Sequence, residues 1–344
     1  MNSKIYWLTF VFLLLSLAGC GAAEDAPSDD RGTKELSPVT ENTKISDVIN
    51  EPLFNGYGRL IFPANTSYYS GDTLGNLSQT WYSNIKPART VEIVNYMREQ
   101  VAAGNQIFYR IYSDEEISAD SRKADTGVFF FRGNSERPDQ KRGLHAVGPA
   151  LTPPACRPFA VCSAGGGFVF VGAMHDSFPH ALELSKKGYN AFALIYRPGA
   201  QTACEDLARA IAFIHKHAEE LGVDVNGYSL WGGSAGARMA AWLGSYGTES
   251  FGERAYPRPA AVIMQYTGLS EVTGNEPPTY NCVGTNDGIA SWCTMQARIN
   301  AIKANGTDAE IEIFSGLSHG FGLGEETVAE GWLERAISFW ERQI

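Results

Sequence analysis

The chain has 344 residues, 44% of them hydrophobic and 12% aromatic, which is enough to bury a large core in one big domain or two small ones and too apolar for a disordered chain. The formal net charge is −10, and no dense Lys/Arg cluster appears. A nucleic-acid partner is therefore not expected, because neutralising phosphates needs a basic face.

Lys4 is followed by an apolar run over residues 5–15 and then Ser16-Leu17-Ala18-Gly19-Cys20. The run is shorter than the roughly 20 residues of a membrane span and suits the core of a secretory signal. This segment resembles a bacterial lipoprotein signal, with Leu17-Ala18-Gly19-Cys20 matching the lipobox. The resemblance implies removal of residues 1–19, a lipid on Cys20 and an exported, membrane-tethered protein; an ordinary signal with an incidental Cys is the alternative. Gly21, in place of Asp, implies an outer-membrane address if the cell has two membranes. Residues 20–43 are small, polar and acidic and read as a disordered tether. No later segment is apolar and long enough to cross a bilayer.

Residues 44–158 read as an N-terminal segment with the first strands and a possible lid, and residues 159–344 as a catalytic core, together expected to form one domain. Aromatic residues over 45–87 follow no regular period. A helix is expected over 90–103, strands over 106–112 and 126–132, and a long polar, Pro-rich loop over 133–158. Regular alternation then begins: strand 159–162, helix 177–187, strand 191–196, helix 202–221, strand 227–231, helix 235–245, strand 260–266, strand 280–284, helix 290–304, strand 310–314 and helix 326–342. This is an α/β pattern, implying a mostly parallel sheet with helices on both faces. If Cys20 carries lipid, five cysteines remain; Cys156 with Cys162 and Cys282 with Cys293 are the local disulfide pairings to test. No metal-ligand spacing such as C-x-x-C is present, and neither metal nor cofactor is expected.

The sharpest local signal is Gly232-Gly233-Ser234-Ala235-Gly236 between a strand and a helix, a fit to G-x-S-x-G in the context that motif requires. A strand-to-helix turn that lifts a serine clear of the backbone leaves no room for Cβ atoms beside it, so small neighbours are needed. The Ala235 N–H then points to where an oxyanion would form. The rival readings are a phosphate-binding turn, which lacks the P-loop Lys and the dinucleotide glycine spacing, and a packing turn with an inert serine. A serine nucleophile needs a base, and the base needs an acid to orient it. Of six histidines, His319 lies in a Gly-rich loop between the last strand and last helix. His215 and His217 fall on a helix, His145 in the long loop, and His175 and His180 at a helix start where they could line the pocket. Asp287 follows a strand and precedes His319, as the order Ser, acid, His requires; a plain turn Asp is its bland reading, and Glu271, Glu276 and Asp308 are rivals. Ser163-Ala164-Gly165-Gly166-Gly167-Phe168, after an earlier strand, offers Gly166 and Gly167 N–H groups as further oxyanion donors.

From residue 159 onward the chain resembles α/β-hydrolases of the hormone-sensitive-lipase-like and carbohydrate-esterase-like group. The matching pieces are the Gly165-Gly166-Gly167 turn, Tyr196-Arg197-Pro198, Asp206, the Ser234 elbow, Asp287 and His319-Gly320-Phe321. Ala164 replaces the His that usually opens the glycine turn, and the Asp-Pro-Leu motif is absent at Asp287, so the carbohydrate-esterase-like side fits better. The resemblance implies hydrolysis of a small-molecule or glycan ester, such as an acetylated or feruloylated carbohydrate. A serine peptidase of the same fold and a silent glycan-binding lipoprotein are the alternatives.

Overall fold

The computed structural model describes residues 37–64, 67–134 and 157–344. Pro38–Ile344 is one unit; of the other, Met1–Ser37, only Ser37 is described. Cys20, His145, Cys156 and most of the long 133–158 loop lie outside the described residues.

The described chain opens with α1 (Ile45–Ile49), two short 3-10 turns and a small hairpin of β1 (Tyr69–Ser70) and β2 (Ser78–Gln79). Helix α2 (Pro87–Ala102) begins on Pro87, whose missing N–H costs nothing in a first turn. Strand β3 (Phe108–Arg110), α3 (Asp114–Ala119) and β4 (Gly127–Phe131) follow. Ser113 and Glu116 cap α3 reciprocally, each side chain accepting the other's backbone N–H.

The core then runs β5 (Pro158–Ser163), α4 (Ala173–Asp176), α5 (Phe178–Lys186), β6 (Asn190–Ile195), α6 (Ala200–Lys216), α7 (Ala218–Leu221), β7 (Asp224–Gly233), α8 (Ala235–Tyr246), β8 (Ala261–Gln265), β9 (Thr279–Gly284), α9 (Trp292–Ala304), β10 (Ala309–Phe314) and α10 (Trp332–Glu341). Eight strands form one sheet in the order β10-β9-β8-β7-β5-β6-β4-β3, parallel except where β4 joins β6 and β3 joins β4. Every residue of β4, β8 and β9 is buried, as expected of strands covered on both faces. Each buried Phe or Leu contributes about 1.5–3 kcal/mol of transfer free energy. In α6, Ala203, Leu207, Ala210 and Ile214 fall at helical spacing and are buried.

Three expectations are corrected. The predicted 202–221 helix breaks at His217 into α6 and α7. The last helix starts six residues later than predicted, because the backbone turns left-handed at Gly322, Gly324, Glu326 and Gly331. The cysteines Cys162, Cys204, Cys282 and Cys293 are free. Cys282 is buried in β9 while Cys293 is exposed on α9, so the proposed pairing between them does not occur.

Strand β5 has β6 on one side and β7 on the other, so chain order reverses there. In open α/β sheets, ligands bind beyond the carboxyl ends of strands at this switch point. The turn after β5 carries Gly165 to Gly167, and the turn after β7 carries Ser234.

Candidate active site

Ser234 sits at the N-cap of α8 with φ 51° and ψ −114°, a strained conformation for a residue with a Cβ. The sequence around it explains how the turn is possible. A Cβ on Gly232 would collide with the Gly236 backbone, one on Gly233 with the Asp176 carboxylate, and one on Gly236 with the Ser163 carbonyl. The Ser234 N–H donates to the Gln265 carbonyl at 3.0 Å, tying the elbow to the end of β8.

His319 Nε2 lies 3.1 Å from Ser234 Oγ, and Nδ1 lies 2.8 Å from Asp287 Oδ2. A carboxylate only accepts, so Nδ1 carries the proton and Nε2 is free to accept the serine hydroxyl proton. Asp287 Oδ1 accepts from the N–H groups of Ile289 and Ala290 at 2.8 and 2.7 Å. The Asp287 carboxylate is fully shielded from solvent, and His319 is 8% exposed. The rival acids are engaged elsewhere: Glu271 with Trp242 and Tyr246, Glu276 with Thr273 and Gly274, and Asp308 with Gln343.

The glycine turn approaches the nucleophile at Gly165, where a Cβ would lie 2.9 Å from Ser234 Cβ. Among the described residues, no hydrogen bond uses the N–H of Gly166, Gly167 or Ala235. Tyr196 steadies the turn by donating to the Ala164 carbonyl at 2.7 Å. The next residue, Arg197, clasps Asp206 through its backbone N–H at 2.7 Å and its guanidinium at 2.7–3.1 Å, a scaffold contact that leaves Asp206 outside the reacting group.

Several positions around the site gave no sequence signal. Asp176, 2% exposed, accepts from Gly165 N–H at 2.6 Å, Tyr82 hydroxyl at 3.2 Å and Tyr266 hydroxyl at 2.5 Å. Burial and the neighbouring Asp176 charge push both tyrosines well above the usual phenol range. The Tyr266 ring packs against His319 with centroids 4.9 Å apart. Ser83, from the N-terminal segment, donates its hydroxyl to the His319 carbonyl at 2.7 Å and its N–H to the Gly320 carbonyl at 3.1 Å. His175 and His180 are buried, with no contact to Ser234 or His319 among the hydrogen bonds of the described residues; burial pushes His175 down to about 3 and lowers His180 too. No three His, Cys, Asp or Glu side chains among the described residues cluster as a metal site would.

The chain is similar in structure to the thermophilic esterase Est2 of the Planctomycetes species Thermogutta terrifontis in its propionate-bound form, with a TM-score of 0.54, 21% identity, and 68% of this chain and 93% of that one covered. It is also similar to MGS-M1, an α/β hydrolase enzyme from a Medee basin deep-sea metagenome library, with a TM-score of 0.51, 18% identity, and 63% and 92% covered. The chain has the α/β-hydrolase fold. Another similar structure is Thermogutta terrifontis esterase 2 phosphorylated by paraoxon, with a TM-score of 0.53, 20% identity, and 68% and 93% covered. Residues 153–291, from the approach to β5 through the Ser234 elbow to Asp287, match the BD-FAE family model. No curated protein matches.

Proposed function

We propose that this α/β-hydrolase is a carboxylic ester hydrolase that works through an acyl-enzyme on Ser234. The observation that carries the reading is the relay from Ser234 Oγ through His319 to Asp287, at 3.1 and 2.8 Å, facing a turn with uncommitted N–H groups. His319 Nε2 takes the hydroxyl proton as Oγ bonds to the ester carbonyl carbon. The carbonyl oxygen becomes an oxyanion, held by the N–H groups of Ala235, Gly166 and Gly167. The imidazolium, oriented and stabilised by Asp287, returns the proton to the departing alcohol oxygen as the C–O bond breaks. A water deprotonated by His319 then attacks the acyl-enzyme, releasing the acid and restoring Ser234.

The Thermogutta esterases and the BD-FAE match support ester chemistry. The carbohydrate-esterase-like motif pattern supports an acetylated or feruloylated carbohydrate as the substrate class. The lipobox supports export and a membrane tether through Cys20.

The unit beginning at Pro38 is expected to hydrolyse p-nitrophenyl acetate and butyrate faster than octanoate. Ser234→Ala should reduce kcat by several orders of magnitude, on the order of 10⁴ or more. Paraoxon should add a phosphoryl group to the wild type and not to the variant. Equal rates for wild type and variant would sink the proposal and turn attention to peptides and glycan binding.

A further inference from the structure

We infer that Trp81 is a specificity-determining wall of this site that takes the flat face of a ring in the substrate, an inference that rests on the ester hydrolase reading. Two independent features of this residue point the same way. Its backbone is left-handed at φ 73°, a conformation that is costly for a bulky side chain and free for glycine. Its side chain is nonetheless 43% exposed, so burial returns only part of what a tryptophan could contribute. Neither feature favours Trp at this position for stability, and strained residues concentrate at ligand sites.

The placement supplies the function. The ring atoms Cζ3 and Cη2 lie 3.1 and 3.2 Å from where a Cβ on Gly167 would be, beside a candidate oxyanion donor. The Trp81 carbonyl abuts Gly320, so closely that a Cβ there would collide with it, and Gly320 adjoins His319. The indole therefore stands at the lip between the glycine turn and the histidine loop, alongside whichever arm of the ester lies there. It is held by what flanks it: Tyr82 on Asp176, Ser83 on His319, and Phe170 stacked beneath the ring with centroids 5.5 Å apart and planes at 21°. Phe170 in turn stacks on Tyr68 at 4.7 Å. A preset aromatic face loses little side-chain freedom when a ring settles on it, and this favours planar aromatic or sugar rings over flexible alkyl chains.

The test uses two matched ester pairs that differ in ring against chain: ethyl phenylacetate against ethyl hexanoate for the acyl arm, and benzyl acetate against hexyl acetate for the alcohol arm. In the wild type, the kcat/KM ratio should favour the ring member of at least one pair by about 3- to 10-fold. The favoured pair identifies the arm. Trp81→Ala and Trp81→Gly should bring that ratio close to unity, while Trp81→Phe keeps part of it. Trp81→Gly also suits the left-handed backbone, and an unchanged kcat/KM on the chain member of the favoured pair shows that the fold and the reacting group are intact, so loss of preference there cannot be ascribed to misfolding. A preference that survives in Trp81→Gly, or a wild type with none, overturns the inference while leaving ester hydrolysis standing. Failure to hydrolyse any of the four, or any p-nitrophenyl ester, removes both.

Discussion

At the scale of single residues, Asp176 is the most informative position outside the reacting group. Its carboxylate is buried and has no ion-pair partner among the described residues, yet all three of its polar neighbours are donors. A buried carboxylate is tolerable only when such donors replace its lost hydration. The three come from different parts of the chain: the glycine turn, the N-terminal segment and the residue after β8. Gly233 lacks a Cβ in the space the same carboxylate fills. Asp176 thus fixes the distance between the oxyanion turn and the elbow. In Asp176→Ala the carboxylate is gone, so all three contacts are lost and the Gly165 N–H is left without its acceptor. A displacement of the hole by a fraction of an ångström to 1 Å can cost on the order of 10² in rate. We expect kcat to fall by about that factor with KM little changed, measured on p-nitrophenyl butyrate alongside Tm. A variant with lowered Tm and wild-type kcat would show that Asp176 serves packing alone.

At the scale of elements, the stretch after β2 acts as a brace on the histidine loop. Ser83 holds the His319 and Gly320 carbonyls, Asn84 donates to the Glu325 carbonyl at 3.1 Å, and Lys86 and Arg89 pair with Glu326 and Glu325. Ser83→Ala removes the hydroxyl contact and keeps the backbone one. The expected loss is about 0.5–1.5 kcal/mol of stability, read from the urea midpoint, with kcat lowered a few-fold; an unchanged kcat would mean the loop holds His319 without this bond. This brace also marks the limit of what the sequence reveals. Ser234, Asp287 and His319 could be singled out because each stands in a short motif at the end of a strand, where local spacing carries the signal. The α/β alternation after residue 159 was legible for the same reason. Tyr82 reaches Asp176 across 94 residues and Ser83 reaches His319 across 236, and no local pattern encodes pairings so distant. The start of α10 was misread because apolar spacing continued through residues whose backbone turns left-handed.

At the scale of the whole molecule, reversal of strand order at β5 sets two turns side by side, and the packing beneath them buries groups that titrate. His175 is buried, and burial holds its imidazole neutral down to about 3 against an ordinary value of 6.5; His180 is lowered in the same direction for the same reason. In the unfolded chain both take up protons as the pH falls through 6.5, whereas in the folded protein they do not. Their contribution to stability is therefore complete above 6.5 and drains away as the pH falls from there toward the folded values. The carboxylates held below their ordinary range act in a lower window. Glu276 and Glu334 are held below the ordinary 4.5 by hydrogen bonds or ion pairs that outweigh burial, so what they contribute is lost only below about that pH. Between pH 6.5 and 4.5 His175, His180 and the likewise lowered His215 lose stability as the pH falls, while the raised Asp206 acts in the opposite direction. The urea midpoint of the wild type is expected to fall across this interval, and that of His175→Gln, whose side chain does not titrate, to fall less steeply from a lower starting point. Parallel slopes for the two proteins would show that His175 takes up its proton without unfolding the chain, and the acid sensitivity would then belong to other groups.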